Sequence, residues 1–513
     1  MVYQVCNRLD EVYSGYMTDL IITQIDSVHI KIDCERALAR ELNQFFTFTV
    51  PNYQFTPAYK NKTWDGQIRL YNLYKRTLYA GLLEYVIQFV KDRNYTYSCD
   101  IKHSHKKPSE NDVDKFTNEH LLLSVNGKSI QPYNYQLDAI YHAIMNERCL
   151  LLSPTGSGKS LIIYCLMRYY LDILPKDKKI LLIVPTTGLV TQMFSDIRDY
   201  SSKSSWSVDK NCHSIFSGQD KVTNKRVVIS TWQSIYKMKD DYFEQFGVVF
   251  GDECHLYKAK SLTSLMSKLK SCPFRVGTTG TLDDSLTHKL VIEGLFGKVY
   301  NVTSTKELME KDVLSNLEIE CLTLKYTIGD IKEIKRAKYK EEIEWIVSNK
   351  KRSDFIVNLV KNIDGNTLIL FNLVDSHGKP LYESIKESVS KDRKVFFIYG
   401  GTDVDQREQI RNIVDKEKNS ILVASYGTCS TGINIRNINN IIFASPSKSV
   451  IRVLQSIGRG LRKSDNKENV KLYDISDDLS FKKYKNHTLK HLDERIKIYS
   501  REGFNYKSVT IKI

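Results

Sequence analysis

A glycine-rich turn, Ser153-Pro154-Thr155-Gly156-Ser157-Gly158-Lys159-Ser160, stands between an apolar run at 149–152 and a helical run at 161–174. Strand, glycine turn and helix in that order belong to a parallel sheet covered by helices, since parallel strands need a helical crossover between them. Such a turn aims backbone N–H groups and a helix N-terminus at an anion. Lys159 adds a cation suited to the β- and γ-phosphates, and the Ser160 hydroxyl suits Mg²⁺. The strict form of this loop has glycine where Ser153 stands; a small residue still permits the tight turn.

A second string, Asp252-Glu253-Cys254-His255, follows the apolar run 248–250. Paired acids at a strand end divide the labour of hydrolysis. Asp252 would hold the metal through water, and Glu253 would orient or deprotonate the attacking water. Together the two strings predict a nucleoside triphosphatase. Thr155, Gly156, Ser157, Gly158 and Lys159 would surround the phosphates, with Ser160 and Asp252 on Mg²⁺.

Strand candidates at 149–153, 180–185, 213–217, 226–231, 248–252 and 274–279 alternate with helical patterns. A second set, at 367–371, 394–399, 420–425, 440–445 and 470–475, repeats the style without a second phosphate loop. Ligands in such sheets gather at the carboxyl ends of strands. The turn, the acid pair and Thr278-Thr279-Gly280-Thr281 all fall there. Between the sheets, 304–311 reads as a helix and 313–319 as an extended connector. Two sheets sharing one nucleotide predict a cleft that opens and closes with nucleotide state.

The first part of the chain has another texture. Amphipathic helices are expected at 36–46 and 80–93, hairpin strands across 53–73 with Trp64-Asp65-Gly66-Gln67 at the turn, and a polar linker at 102–115. Lys60, Lys62, Arg69, Lys75 and Arg76 interleave with Tyr59, Trp64, Tyr71 and Tyr74, a mixture suited to phosphate contact and base stacking. The same aromatics would also serve as the core of an ordinary small domain. The expected fold is therefore α/β: two tandem RecA-like parallel-sheet domains, 127–303 and 304–513, behind an α+β nucleic-acid-binding domain at 1–126. A helical tail would close the second.

Charge agrees with that partner. Lys and Arg total 75 against 60 acidic residues, a net +15 that favours a polyanion. A Lys-rich composition with no functional meaning would give the same sum. Ten cysteines without Cys-x-x-Cys spacing point to free thiols in a reducing compartment, not a disulfide framework. Cys99, His103 and His105 share a polar stretch with no evident fourth ligand, so no metal site is expected there. No apolar stretch approaches the ~20 residues that cross a bilayer, and the start lacks a signal-peptide core. A cytoplasmic protein without a membrane partner is expected.

The motif series resembles superfamily 2 helicases. Tyr135-Gln136 stands upstream of the phosphate loop, where that family reads adenine with Gln. Pro185-Thr186-Thr187-Gly188 and Ser230-Thr231-Trp232-Gln233 are similar to its two strand-contacting loops, and Ser376-His377-Gly378-Lys379 to a third. Asp252 to His255 is the DExH form, while Thr278 to Thr281 reads TTGT where Ser/Thr-Ala-Thr is common. Tyr426 through Asn434 resembles motif V, and Gln455-x-x-Gly458-Arg459-Gly460-x-Arg462 resembles motif VI. Residues 455, 459 and 462 share one helical face. Closer still, Trp64-Asp65-Gly66-x-Ile68-Arg69-Leu70, Ala424-Ser425-Tyr426-Gly427 and Val453-Leu454-Gln455-x-Ile457-Gly458-Arg459 resemble the UvsW-type recombination and repair helicases of T-even-like bacteriophages, over nearly the whole chain.

The resemblance implies an ATP- and Mg²⁺-dependent DNA translocase in the host bacterial cytoplasm, acting on forks, Holliday junctions and R-loops by unwinding, branch migration and strand annealing. Its partners would be single-stranded and branched duplex DNA, RNA–DNA hybrids, and single-strand-binding or recombination proteins. Catalysis would rest on Lys159, Asp252, Glu253, His255, Arg459 and Arg462. Gln136, Gly432, Asn434 and Gln455 would help hold ATP. Thr187, Thr231, Trp232, His377 and Thr428 would contact the tracked strand, with Lys60, Lys62 and Arg69 on duplex arms. One chain supplies both walls of the cleft, so a monomer is expected. The competing readings are an RNA helicase, a duplex translocase serving a nuclease, and an annealing protein that uses ATP only as a switch.

Overall fold

The computed structural model describes residues 18–101, 107–216, 218–257, 259–282, 286–432, 435, 437–445, 449, 453, 456–458, 460–461 and 469–513. Contacts divide the chain into two compact units: Met1–Leu152 with Lys159–Val302, and Ser153–Gly158 with Thr303–Ile513.

The first unit holds a seven-stranded sheet. Its order is Cys212–Ile215, Val227–Thr231, Lys179–Val184, Phe246–Gly251, Phe274–Thr279, Arg148–Leu152 and Val299–Asn301, parallel throughout. Buried runs such as Ile180 to Val184 face helices on both sides, which explains their unbroken apolar character. The second unit repeats the plan with Val395–Ile398, Ile421–Ser425, Thr367–Phe371, Asn440–Phe443, Asn469–Asp478, Asn316–Lys325 and Tyr506–Lys512, again all parallel. These are the two parallel-sheet domains that the alternation predicts.

Two of the second sheet's strands depart from expectation. The segment 313–319 is no connector: Asn316–Lys325 is a ten-residue strand paired on both sides. The chain's last part is a helix, His487–Arg501, followed by a strand, Tyr506–Lys512, and not a helical tail alone. Tyr506–Lys512 carries few apolar residues because it lies at the sheet edge and is mostly exposed.

In the N-terminal region a four-stranded mixed sheet, ordered Thr77–Tyr79, His29–Cys34, Leu20–Gln24 and Tyr97–Asp100, packs against helices Arg36–Phe45 and Leu83–Asp92. The expected hairpin over 53–73 is corrected. Tyr53–Phe55 and Pro57–Lys60 are helical turns, the second started by Thr56, whose hydroxyl accepts the Tyr59 N–H, and by Pro57 at the first helical position. Only Gln67–Arg69 is extended, and it pairs with Thr47–Thr49. The supposed linker 102–115 contains a helix, Glu110–Lys115, because Ser109 and Asp112 form a reciprocal capping box.

This N-terminal layer shares its core with the first large sheet: Leu290, from the helix Leu286–Phe296, packs among Ile30, Leu78, Ala80 and Leu82. Tyr85 donates to the buried Glu293 carboxylate at 2.7 Å, and Arg148 donates to the Ser27 carbonyl at 3.1 Å. The described N-terminal residues therefore pack as part of the first unit, and a separate domain at 1–126 stands as a proposal.

Candidate active site

Three adjacent strands bring the chemistry together. Phe246–Gly251, Phe274–Thr279 and Arg148–Leu152 lie side by side, and their carboxyl ends lead into Asp252-Glu253, Gly280-Thr281 and the phosphate loop. The loop is built as a cradle. Gly156 and Gly158 take φ of +89° and +84°, a region closed to most side chains, and the helix Lys159–Ile173 begins directly after them. Ser153, at the position where glycine is usual, is fully buried, its Oγ 2.5 Å from Ser157 Oγ. Ser157 Oγ donates to the Pro154 carbonyl at 2.7 Å, so the Ser153 hydroxyl donates to Ser157. The extra side chain ties the turn together from inside. Two glycines in this conformation, followed by Lys159 at a helix start, fit a polyphosphate.

Asp252 is 8% exposed, and Thr278 Oγ1 donates to its Oδ1 at 2.8 Å. Burial and the neighbouring Glu253 charge push its carboxyl above the usual range, while Lys159 and the Thr278 hydroxyl pull it back. A carboxylate so crowded wants a cation, which Mg²⁺ would provide. Ser160, the other expected metal residue, shares a 2.8 Å hydrogen bond with Tyr200. The donor set of one hydroxyl and one carboxylate fits a magnesium ion that keeps most of its waters.

Glu253 adopts a left-handed backbone, φ +51°. Strain of this kind at a non-glycine residue marks a position held by its surroundings. His255 Nδ1 lies 3.3 Å from Glu253 Oε2 and 3.1 Å from Thr279 Oγ1. Thr279 spends its own proton on the Thr281 carbonyl at 2.9 Å, so Nδ1 must be the donor to Thr279. Asp252 is thereby hydrogen-bonded to one threonine of the neighbouring strand, and the other holds the His255 ring beside Glu253. Sequence reasoning placed Thr278 to Thr281 nearby but did not see these bonds. Tyr200 was missed altogether, since nothing in its spacing signals an approach to Ser160.

The other expected residues are placed as follows. Gln136 is buried, and its Oε1 accepts the Tyr133 N–H at 2.9 Å, closing the first turn of its own helix. Thr155 lies on the loop beside Gly458; a Cβ on that glycine would come within 2.7 Å of Thr155 Cβ, both residues belonging to the second unit. Gly432 ends the helix Tyr426–Gly432. Asn434, Gln455, Arg459 and Arg462 lie outside the described residues, as do His103 and His105. Thr187 is exposed at the start of the helix Thr187–Tyr200. Lys60 and Lys62 are exposed, and Arg69 is exposed but ion-paired to Asp65 at 2.5 Å.

Four of the residues expected to contact a strand are wholly or partly buried. Thr231 and Thr428 are each 5% exposed and bonded to Ser234 and Ser425 at 2.8 Å. Trp232 leans edge-on against Tyr236 and packs onto the core. His377 is 2% exposed, with Nδ1 2.9 Å from Ser445 Oγ. The His377 ring is thus enclosed within its own unit and set against Ser445.

Burial, helped by Arg352, lowers His377 from 6.5 to about 3. Below 6.5 the unfolded chain takes up a proton that the folded form refuses, so this stabilisation is complete above 6.5 and lost as pH falls toward 3. Acidification from pH 7 to 5 should cost about 2 kcal/mol through this group. His377→Asn should flatten the pH dependence of urea unfolding by that amount; an unchanged slope would refute the buried-neutral assignment.

Comparison with known proteins agrees with this architecture. Residues 19–100 match the family model described as "DNA helicase UvsW, N-terminal", residues 129–284 "Type III restriction enzyme, res subunit", and residues 350–464 "Helicase conserved C-terminal domain". The chain is 36% identical over 503 residues to the ATP-dependent DNA helicase uvsW of Enterobacteria phage T4, covering 95% of this chain and 98% of that protein. The chain belongs to the UvsW family of superfamily 2 helicases.

The crystal structure of T4 UvsW covers 96% of this chain and 100% of its own, at 33% identity and a TM-score of 0.51. A DNA 3'-5' translocase XPB2 of Sulfurisphaera tokodaii is 23% identical over 66% of this chain and 80% of its own length. UvsW-family membership makes this an ATP-hydrolysing helicase, and it places the glycine cradle and acid pair in an enzyme whose energy source is ATP. Among the described residues no helix is long and apolar enough to cross a membrane.

Proposed function

We propose that this chain is an ATP-driven DNA translocase that remodels branched DNA, namely forks, Holliday junctions and R-loops, by unwinding, branch migration and annealing. The observation that carries the reading is the linkage at the strand ends. Asp252 accepts from Thr278, and His255 donates to Thr279 while lying 3.3 Å from Glu253, so both hydrolytic acids abut one structural strand through its threonines. A change in charge at the acids would be felt along Phe274–Thr279, a route from hydrolysis to strand movement. The identity to a helicase described as acting on DNA supports DNA over RNA as the substrate.

Mg²⁺-ATP would bring a γ-phosphate open to attack by water. Gly156, Gly158 and Lys159 hold the phosphates, Ser160 and Asp252 hold the metal, and Gln136 reads the base. Glu253 takes the proton from water, and the His255 ring lies against its carboxylate, Nδ1 3.3 Å from Oε2. Arg459 and Arg462 supply guanidinium groups for the charge that develops, with Gln455, Gly432 and Asn434 completing the nucleotide's surroundings. Thr187 remains the most accessible proposed strand contact. The protein would work as a cytoplasmic monomer, aided by single-strand-binding or recombination proteins.

Fork, four-way junction, R-loop and plain duplex DNA, each with ATP and with a non-hydrolysable analogue, test this directly. Strand displacement on the branched substrates that needs hydrolysis is the expected result. Equal or greater ATP turnover on structured RNA would overturn the DNA assignment.

A further inference from the structure

The N-terminal region carries a hollow of about 570 Å³, lined by Tyr59, Lys60, Lys62, Thr63 and Trp64 among others. That falls within the roughly 300–1,000 Å³ of small-molecule sites. Its walls are fixed before anything binds. The Trp64 indole N–H is spent on the Gln67 carbonyl at 2.8 Å, so the half-buried ring offers its π surface and no donor. Tyr59, 37% exposed, is braced edge-on by Tyr53 at 4.6 Å. Tyr53 in turn lies where a side chain on Gly66 would be, a position only glycine leaves open. Two braced aromatic rings, the larger with its polar handle spent, favour stacking, which every base can supply.

The cations are placed with equal care. The short helix Pro57–Lys60 ends in paired bonds, Thr63 N–H to the Ala58 carbonyl and Lys62 N–H to the Tyr59 carbonyl, with Lys62 left-handed at φ +56°. Glycine is the residue that fits this helix-ending position without strain. Lysine there keeps a positive charge at the rim of the hollow at a backbone cost. Asp65, also at the rim, is neutralised by Arg69.

We propose that this hollow captures one unpaired nucleotide of branched DNA, its base against Trp64 and Tyr59 and its phosphates on Lys60 and Lys62. The assignment rests on the reading of the chain as a branched-DNA translocase and names where the branch is felt. A duplex arm has no free base to offer, so the hollow distinguishes an open junction from closed DNA.

The test uses the full chain without nucleotide. Forked DNA with 2-aminopurine unpaired at the junction is compared with the same fork carrying an abasic site there. Wild type should bind the base-bearing fork about tenfold to a hundredfold tighter and stack the aminopurine. Trp64→Leu should erase that ratio, whereas Trp64→Phe, which keeps a ring and loses only the N–H bond, should retain most of it. Lys62→Gly relieves the left-handed strain, so its folding is secure; it should lower the salt slope of binding by about 0.7–0.9 and leave the base preference intact. An unchanged ratio in Trp64→Leu, or an unchanged slope in Lys62→Gly, overturns the pocket. Absence of DNA-stimulated ATP turnover in wild type would instead sink the functional reading beneath it.

Discussion

Replacing Glu253 with glutamine is expected to cut ATP turnover by about 10³ while leaving nucleotide and DNA binding nearly intact. The substitution is sterically silent. Gln has the shape of Glu, and the His255 Nδ1–H is spent on Thr279 and not on Glu253, so the left-handed turn and the Thr279 bond should survive. What disappears is the base that accepts water's proton. Single-turnover hydrolysis, with binding followed separately by fluorescence anisotropy, gives the measurement. Turnover within tenfold of wild type would remove Glu253 from the chemistry. Lys159→Ala should be similarly inactive, but through weakened phosphate binding, so the two variants should separate in nucleotide affinity.

Breaking the buried pair between Arg352 and Asp477 should be the most damaging change to the second unit. Arg352 is 1% exposed and donates through Nε to Asp477 Oδ1 at 2.8 Å and through Nη2 to the Ala444 carbonyl at 2.8 Å. Tyr326 adds a second donor to the same carboxylate oxygen at 2.7 Å. Arg352→Met leaves a fully buried carboxylate with one phenol for company, and such loss costs about 3–5 kcal/mol. Trp345 lies 5.2 Å from the Tyr326 ring, whereas Trp64, Trp206 and Trp232 belong to the first unit. With Trp345 as the retained tryptophan, urea unfolding should shift by that amount. Adding Asp477→Leu should restore part of the loss, because a paired hydrophobic replacement strands no charge. A shift below 1 kcal/mol in Arg352→Met would show that the pair contributes little.

Much of the site was readable because its elements are local. The glycine turn and the acid pair are short strings whose spacing alone dictates a strand, a turn and a helix start. Their neighbours along the chain suffice. The alternating runs likewise announced both parallel sheets, since strands buried on two faces must be apolar throughout. Strands with weaker patterns escaped. Asn316–Lys325 alternates exposed and buried residues beside a helix, and Tyr506–Lys512 is almost all exposed; pairing with distant partners makes them strands. The Tyr53–Lys60 segment read as extended from its aromatics, while a threonine cap and a proline made it helical.

Roles that depend on who stands across the fold were settled elsewhere. No spacing rule joins Thr278 to Asp252, Tyr200 to Ser160, or His377 to Ser445, because each bond spans strands or helices far apart in the chain. His377 shows the consequence: its place in the motif says nothing of the burial that sets its ring against Ser445. Local order of residues thus specified the chemistry available, phosphate cradle and paired acids included. Packing specified which of those groups face solvent, which are tied to a partner, and which carry strain, since burial and hydrogen bonding are properties of the assembled chain.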